Sequence, residues 1–176
     1  ACGEQLSVKS YLWQKDSTTP FSKIYTCPYC GDDGERPITQ ADIDRLAQIG
    51  NIAIHQSRAL NRVSVGSQEA IEGAQEALTS YIARPLIFIS TILNRIDGLS
   101  DDHKKNLLRA LMLHVLDQGN SLWPWPSSRS RPRQLVIPSQ FKENNLWMAL
   151  EESMNLLSNL NTKVGIHIWP DLPETE

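Results

Sequence analysis

The first 36 residues show the alternation of side chains that is typical of β-strands. Residues 8–15 alternate with a period of two, which indicates one strand. Residues 17–20 are Ser, Thr, Thr and Pro and indicate a loop, and residues 21–26 then predict a second strand that runs into Cys27. The sequence therefore predicts a β-hairpin within residues 1–36, as a unit distinct from the rest of the chain.

From about residue 39 the apolar positions recur at helical spacing instead. Residues 39–42 resemble a capping box with Asp in place of Glu or Gln, and residues 68–81 are compatible with a weakly amphipathic helix. Pro85 suits the first turn of a strongly apolar helix that ends near Gly98. Residues 50–66 lack a clear period.

Two further helices follow. Ser100 is the expected N-cap of a helix with a broad apolar face over residues 107–116, and Gly119 is its expected stop. Asn144 or Asn145 begins a last helix, and residues 164–169 alternate like a short strand. We therefore predict an α+β, mainly α protein, with a hairpin over residues 1–36 and a helical domain over residues 37–176.

Composition narrows the class of protein. Hydrophobic residues make up 40% and charged residues 21% of the chain, as in globular proteins, and no apolar run reaches the length of a membrane span. Nothing resembles a signal peptide. A net charge of −3 argues against a free-standing nucleic-acid binder, although it leaves room for a local basic stripe. We expect a cytoplasmic protein without a membrane partner.

The cysteines predict a metal site. Residues 27–31 have the sequence C-P-Y-C-G, a turn in which two thiolates point at one ion and the glycine tolerates the backbone bend. Residues 1–3, Ala-Cys-Gly, resemble the end of a second such turn, whose other cysteine would precede Ala1. Two such turns on a hairpin predict a zinc ribbon with a structural four-thiolate site, of which this chain holds Cys2, Cys27 and Cys30.

This pattern leads us to expect a piece of a longer protein, with a zinc site that lacks one of its four ligands. One alternative is that Cys27 and Cys30 form a redox pair while Cys2 is a free thiol. No βαβ pattern surrounds the C-x-x-C sequence, which disfavours a redox role. An odd count of three cysteines also disfavours a closed disulfide framework.

Residues 121–140 break the helical pattern with four prolines, two tryptophans and three arginines. No acidic residue occurs from position 123 through position 142, where four residues are basic. Arginine forks bind phosphates and tryptophan faces stack on bases, so this loop is a candidate DNA contact. The candidate residues are Arg129, Arg131, Arg133, Trp123, Trp125 and Lys142. The alternative is that the tryptophans pack the loop onto the helices while the arginines are merely solvated.

The sequence contains no catalytic constellation. Its four histidines are scattered, and HExxH, GxGxxG and Walker A motifs are all missing from it. Several short segments nevertheless resemble bacterial site-specific DNA methyltransferases of the adenine- or cytosine-N4 type, in the subgroup that carries an inserted zinc ribbon. These segments are residues 27–31, 39–42, 81–86, 110–113, 121–124, 131–135, 138 and 145–147, in the expected order.

The resemblance implies an S-adenosylmethionine-dependent parent enzyme that methylates an exocyclic amino group of a flipped base held by an Asp-Pro-Pro-Tyr-like motif. This chain has neither that motif nor a glycine-rich cofactor loop, so no catalytic or cofactor residue carries over. The segment would be an insert that engages DNA or recognises the target, beside the catalytic domain of the same parent chain. The alternative is a zinc-ribbon and helical protein-interaction module without a nucleic-acid role, which the acidic net charge favours.

Overall fold

The computed structural model describes residues 7–63, 67–127 and 135–158 of the chain. These residues form an α+β structure with four strands and six helices. The strands are β1 (Ser7–Gln14), β2 (Ser22–Thr26), β3 (Asp33–Pro37) and β4 (Gln140–Asn144). The helices are α1 (Gln40–Ala47), α2 (Ala53–Val63), α3 (Gln68–Leu78), α4 (Ala83–Asp97), α5 (Asp102–Gly119) and α6 (Leu146–Ser158).

The strands form one antiparallel sheet in the order β3-β2-β1-β4. The predicted hairpin is confirmed as β1 and β2, but β3 and β4 were not predicted. β3 is an exposed, charged strand at one edge, and its residues show no apolar alternation. β4 comes from the range predicted to be helical, and it pairs with β1 along the other side. The sheet therefore joins the start of the described chain to a segment more than a hundred residues later.

β1 lies at the centre of the first core. Tyr11 and Trp13 pack with Phe141 of β4, and the rings of Trp13 and Phe141 are stacked with centroids 6.3 Å apart. Leu12, on the opposite face of the strand, is fully buried. The alternation in the sequence therefore predicted the strand correctly. It did not predict that both faces of the strand are buried from Ser10 to Trp13.

The helix boundaries follow local hydrogen bonds. The capping box at α1 is present, with Thr39 as the N-cap and the Asp42 carboxylate accepting from the Thr39 N–H at 3.0 Å. The predicted cap of α5 was wrong by one residue: Asp101, not Ser100, accepts from the Lys104 N–H at 3.1 Å. A carboxylate one residue later reaches the open N–H groups of the first turn, so it takes the cap position.

The second core lies between α4, α5 and α6. It contains Ile89, Ile96, Met112, Val115, Leu146 and Ala149. The apolar faces predicted for residues 86–93 and 107–116 thus pack within the chain, with Leu107 and Leu113 as exposed exceptions. α5 ends at Gly119 as predicted, and a β-carbon there would lie 2.9 Å from the Ile89 Cδ1 atom, so close packing also favours glycine.

Residues 53–63, which showed no clear period, form α2. It packs with α3 and α4, yet neither α2 nor α3 has a fully buried residue. Within the ranges that the structure describes, no single helix has the length and apolar character needed to cross a membrane. Only α3 and α4 taken together, with a bend of 120° between them, meet those criteria.

Candidate nucleic-acid interface and cysteine turn

The cysteine turn connects β2 to β3. The Gly31 N–H donates to the Cys27 carbonyl at 3.0 Å, and the Cys27 N–H donates to the Asp32 carbonyl at 2.7 Å. Gly31 has a φ of +71°, the left-handed region in which glycine is unstrained. The C-P-Y-C-G sequence therefore forms a tight turn at the end of a strand, with Cys27 buried and Cys30 exposed.

The predicted zinc site is not seen in the described residues. Cys2, the third predicted ligand, lies outside them. No group of three or more His, Cys, Asp or Glu side chains that could hold a metal ion occurs within residues 7–63, 67–127 and 135–158. The glycine and the closing hydrogen bond give the turn the tight backbone that the sequence predicted for residues 27–31. Two thiolates alone are fewer than the four ligands of a structural zinc site.

The base of the Trp/Pro/Arg loop is built against β4. Pro124 forms a bridge with Phe141, the Trp125 N–H donates to the Gln140 carbonyl at 3.1 Å, and the Lys142 N–H donates to the Trp123 carbonyl at 2.7 Å. Both ends of the loop are therefore tied together at the edge of the sheet. Its predicted DNA contacts Arg129, Arg131 and Arg133 lie outside the described residues.

The structure brings the other three candidates together. The Lys142 ammonium lies 4.9 Å from the centroid of the Trp125 ring, a cation–π contact in which both side chains are half-buried. The Trp123 indole N–H donates to the Asp117 carbonyl of α5 at 2.8 Å. Trp123 thus behaves as the packing alternative expected, since its N–H fastens the loop base to the helices, whereas Trp125 faces a cation.

Charge is segregated between this loop and the rest of the chain. Residues 123–142 carry four basic and no acidic side chains. The remaining sequence then has 13 Lys and Arg against 20 Asp and Glu, a net charge of −7. The net charges of the two parts of the sequence are therefore opposite in sign, +4 and −7.

The sequence did not predict an ion pair between Arg84 of α4 and the buried Glu143 of β4. Glu143 of β4 is 3% exposed; its carboxylate accepts from the Arg84 Nε and Nη2 atoms at 2.6 Å each and from the Trp13 indole N–H at 2.7 Å. The guanidinium also lies 4.4 Å from the centroid of the Tyr11 ring. Burial alone would lower the pKa of Arg84, but the bonded carboxylate of Glu143 outweighs it and raises that pKa. The only signal in the sequence was the alternation of Phe141 with Glu143.

A second buried carboxylate lies across Tyr11 from this pair. Asp42 accepts from the Tyr11 hydroxyl at 3.1 Å, from the Thr39 hydroxyl at 2.6 Å and from the Lys23 ammonium. Burial by itself would raise the pKa of Asp42, but the hydrogen bonds from Lys23, Thr39 and Tyr11 together hold it well below its usual range. Burial, and then the nearby charge of Asp42, raise the pKa of Tyr11. The network fastens α1, the sheet and the start of α4 to one another.

Comparison with known proteins gives no family for this chain: no family model, no curated protein and no solved structure matches it.

Proposed function

We propose that this chain engages DNA through the loop of residues 121–140 and the adjoining Lys142 of β4, as an insert of a longer S-adenosylmethionine-dependent DNA methyltransferase. The observation that carries the proposal is the concentration of four basic and no acidic residues on this loop and Lys142, with the base of the loop fastened to the sheet edge. Cofactor binding and methyl transfer belong to a catalytic domain of the same parent chain. We expect this chain alone to bind DNA but not S-adenosylmethionine.

The parts of the loop have different roles in this proposal. Arg129, Arg131 and Arg133 supply guanidinium forks for backbone phosphates. Trp125 and Lys142 place an aromatic face beside a cation. A base of DNA can stack on such a face while the neighbouring phosphate contacts the cation. Trp123 is a positioning residue, because its indole N–H is held by the Asp117 carbonyl.

The methyltransferase assignment draws on the family resemblance. Two of the resembling segments contain residues whose contacts are described above: Arg84 of residues 81–86 pairs with Glu143, and the indole N–H of Trp123 of residues 121–124 donates to the Asp117 carbonyl. The resemblance supports DNA as the partner, and the missing Asp-Pro-Pro-Tyr-like motif assigns the chemistry to another part of the parent.

Removing the loop charges is expected to weaken DNA binding and to flatten its salt dependence. Each lost phosphate contact lowers the slope of log K against log salt by about 0.7 to 0.9, so the triple variant R129Q/R131Q/R133Q should lose about two from that slope. Its affinity at low salt should fall about tenfold or more. Fluorescence anisotropy with a labelled oligonucleotide over a salt series measures both quantities.

The matched control R58Q/R95Q/K104Q removes the same charge from exposed helical positions outside the loop. It should change the slope by much less than the loop variant does. An unchanged slope in the loop variant, or equal changes in the two variants, would refute the DNA-contact role of this loop.

We also infer that the cysteine turn holds structural zinc, with Cys2 as a third ligand and the fourth supplied from the parent. Zinc binding by this chain is then expected to be weak and to depend on both thiolates of the turn. Isothermal titration with zinc chloride should show binding in the wild type, a reduced affinity in C2S and no binding in C27S/C30S. Zinc stoichiometry that is the same in C27S/C30S as in the wild type would rule out this site.

The alternative is a zinc-ribbon and helical protein-interaction module, and a large exposed apolar patch on α4 or α5 would indicate a missing partner for it. Ile89 of α4 and Met112 and Val115 of α5 lie in the chain's own core. Most of each face therefore packs within the chain, although Leu107 and Leu113 of α5 are exposed, and the acidic net charge continues to favour this alternative.

A further inference from the structure

A second site lies away from the loop, in a cleft of about 380 Å³ between β1, the first turns of α4 and α6, and Arg45 of α1. Its lining includes the cations Lys9, Arg45 and Arg84 and a single acidic side chain, Glu143. Trp147 and Phe88 add aromatic surface. This volume falls within the range of small-molecule sites and suits one nucleotide rather than a protein element.

The charge balance of the cleft favours an anion. Glu143 is neutralised by Arg84, which bonds it through the Nε and Nη2 atoms and whose side chain remains 35% exposed. Arg45 is exposed, and its nearest carboxylate oxygen, on Asp42, lies 3.9 Å away, beyond hydrogen-bond distance. Lys9 is also exposed. The side chains that line the cleft therefore carry a formal charge of +2, in a protein that is acidic overall, while Asp42 beside Arg45 and Glu151 beside Trp147 are neighbouring carboxylates outside the lining.

The fold itself holds the walls of the cleft. The Asn145 side chain donates to the Val8 carbonyl at 2.8 Å and accepts from the Trp147 N–H at 3.1 Å, so the first turn of α6 is already capped. The Ser10 hydroxyl donates to the Asn144 side chain at 2.9 Å. Because these polar groups are occupied, an anionic ligand must be held by the cationic side chains.

Trp147 supplies the second half of the recognition. It lies in the first turn of α6 and is 58% exposed. Its indole N–H donates to the Glu151 carboxylate at 2.9 Å one turn along α6, which fixes the ring beside the cleft. A ring held in place and open to solvent next to cations offers a stacking surface for a base whose phosphate the cations bind.

We propose that this cleft binds a nucleotide, with the base stacked on Trp147 and the phosphate bound by Arg45, Lys9 and Arg84. A nucleotide can arrive free or as a unit of single-stranded DNA, and the chemistry of recognition is the same. The site does not use the loop of residues 121–140 or Lys142, so its existence does not depend on the function proposed for that loop.

The test compares dAMP and a single-stranded ten-residue thymidine oligonucleotide on the full chain, by isothermal titration. The variant R45Q/W147A should weaken the binding of whichever ligand the cleft accepts by about tenfold or more, from the loss of one stacked base and one charge. The matched control L113A/R95Q changes an exposed apolar residue and an exposed arginine elsewhere on the helices, and should bind as the wild type does.

The pattern of losses separates the outcomes. If R45Q/W147A loses affinity for dAMP alone, the ligand is a free nucleotide, and if it loses affinity for the oligonucleotide alone, the ligand is a strand. Loss of affinity for both ligands shows that the cleft accepts a nucleotide from either source. Wild-type affinity of R45Q/W147A for both ligands, or no binding of either ligand to the wild type, would overturn the proposal. The loop variant R129Q/R131Q/R133Q should leave dAMP binding unchanged, so failure of the loop and failure of the cleft give different results.

A measurement on the chain without the R45Q/W147A substitutions avoids any effect of those substitutions on the fold. The indole N–H resonance of Trp147, assigned by its disappearance in W147F, should shift when dAMP or the oligonucleotide is added to the otherwise unmodified chain. A resonance that stays fixed while other indole resonances shift would place the ligand elsewhere and contradict the assignment to this cleft.

Discussion

Replacing Glu143 with glutamine is expected to lower the free energy of unfolding by about 3 kcal/mol. Removal of one partner from a buried ion pair leaves the other charge uncompensated, at a cost of about 3–5 kcal/mol. The lower end of that range applies because the Arg84 side chain is 35% exposed and water screens part of its charge. Urea denaturation followed by circular dichroism should show a lower midpoint with an unchanged m-value.

The matched control for this prediction is E76Q, at an exposed glutamate on α3. It should change stability by less than about 0.5 kcal/mol. The double variant R84M/E143Q should recover part of the loss, because it removes the orphaned cation as well. If E143Q were as stable as E76Q, the ion pair would not be holding α4 against β4.

Replacing Asp42 with asparagine is expected to cost about 3 kcal/mol at pH 7. The charge partner of Lys23 disappears, and the hydrogen bonds from Thr39 and Tyr11 lose their ionic acceptor, each such bond being worth about 1.5–3 kcal/mol before relaxation. The control D44N lies on the same helix, where exposed Asp44 only accepts from the Gln40 side chain. Urea unfolding at pH 7 should place D44N close to the wild type and D42N well below it.

The same substitution has a predictable pH dependence. The folded state lowers the pKa of Asp42 below its unfolded value of about 4, so the ionised carboxylate favours the folded state. This contribution is fully present above about pH 5 and is lost progressively as the pH falls below about 4. The stability difference between wild type and D42N should therefore narrow between pH 5 and pH 2. A constant difference over that range would show that Asp42 does not act through its charge.

Local signals in the sequence predicted the local features well. The capping box at Thr39, the β1–β2 hairpin and the start of the last helix at Asn145 depend on residues within a few positions of one another. The turn at Gly31 belongs to the same class, because its left-handed backbone follows from one glycine. Each of these features is decided before any distant segment packs.

The features that were missed depend on distant partners. β4 has five residues and a single large apolar side chain, Phe141, and becomes a strand by pairing with β1. Once β4 is missed, the Arg84–Glu143 pair and the cleft beside it cannot be foreseen, because Arg84 and Glu143 are 59 positions apart. The residues near Glu143 in the sequence do not indicate which of the arginines elsewhere in the chain pairs with it.

The position of β4 in the sheet also determines the order in which this fold can be completed. Ser10 and Asn144 are hydrogen-bonded partners 134 positions apart, so the loop that closes between β1 and β4 spans most of the chain. During synthesis, β1 keeps an open edge and Arg84 lacks its carboxylate until residues 140–144 leave the ribosome. Contacts of such long sequence separation slow folding, and an open strand edge invites pairing with other chains in the meantime. One short strand thus supplies both the missing edge partner of β1 and the carboxylate that pairs with Arg84.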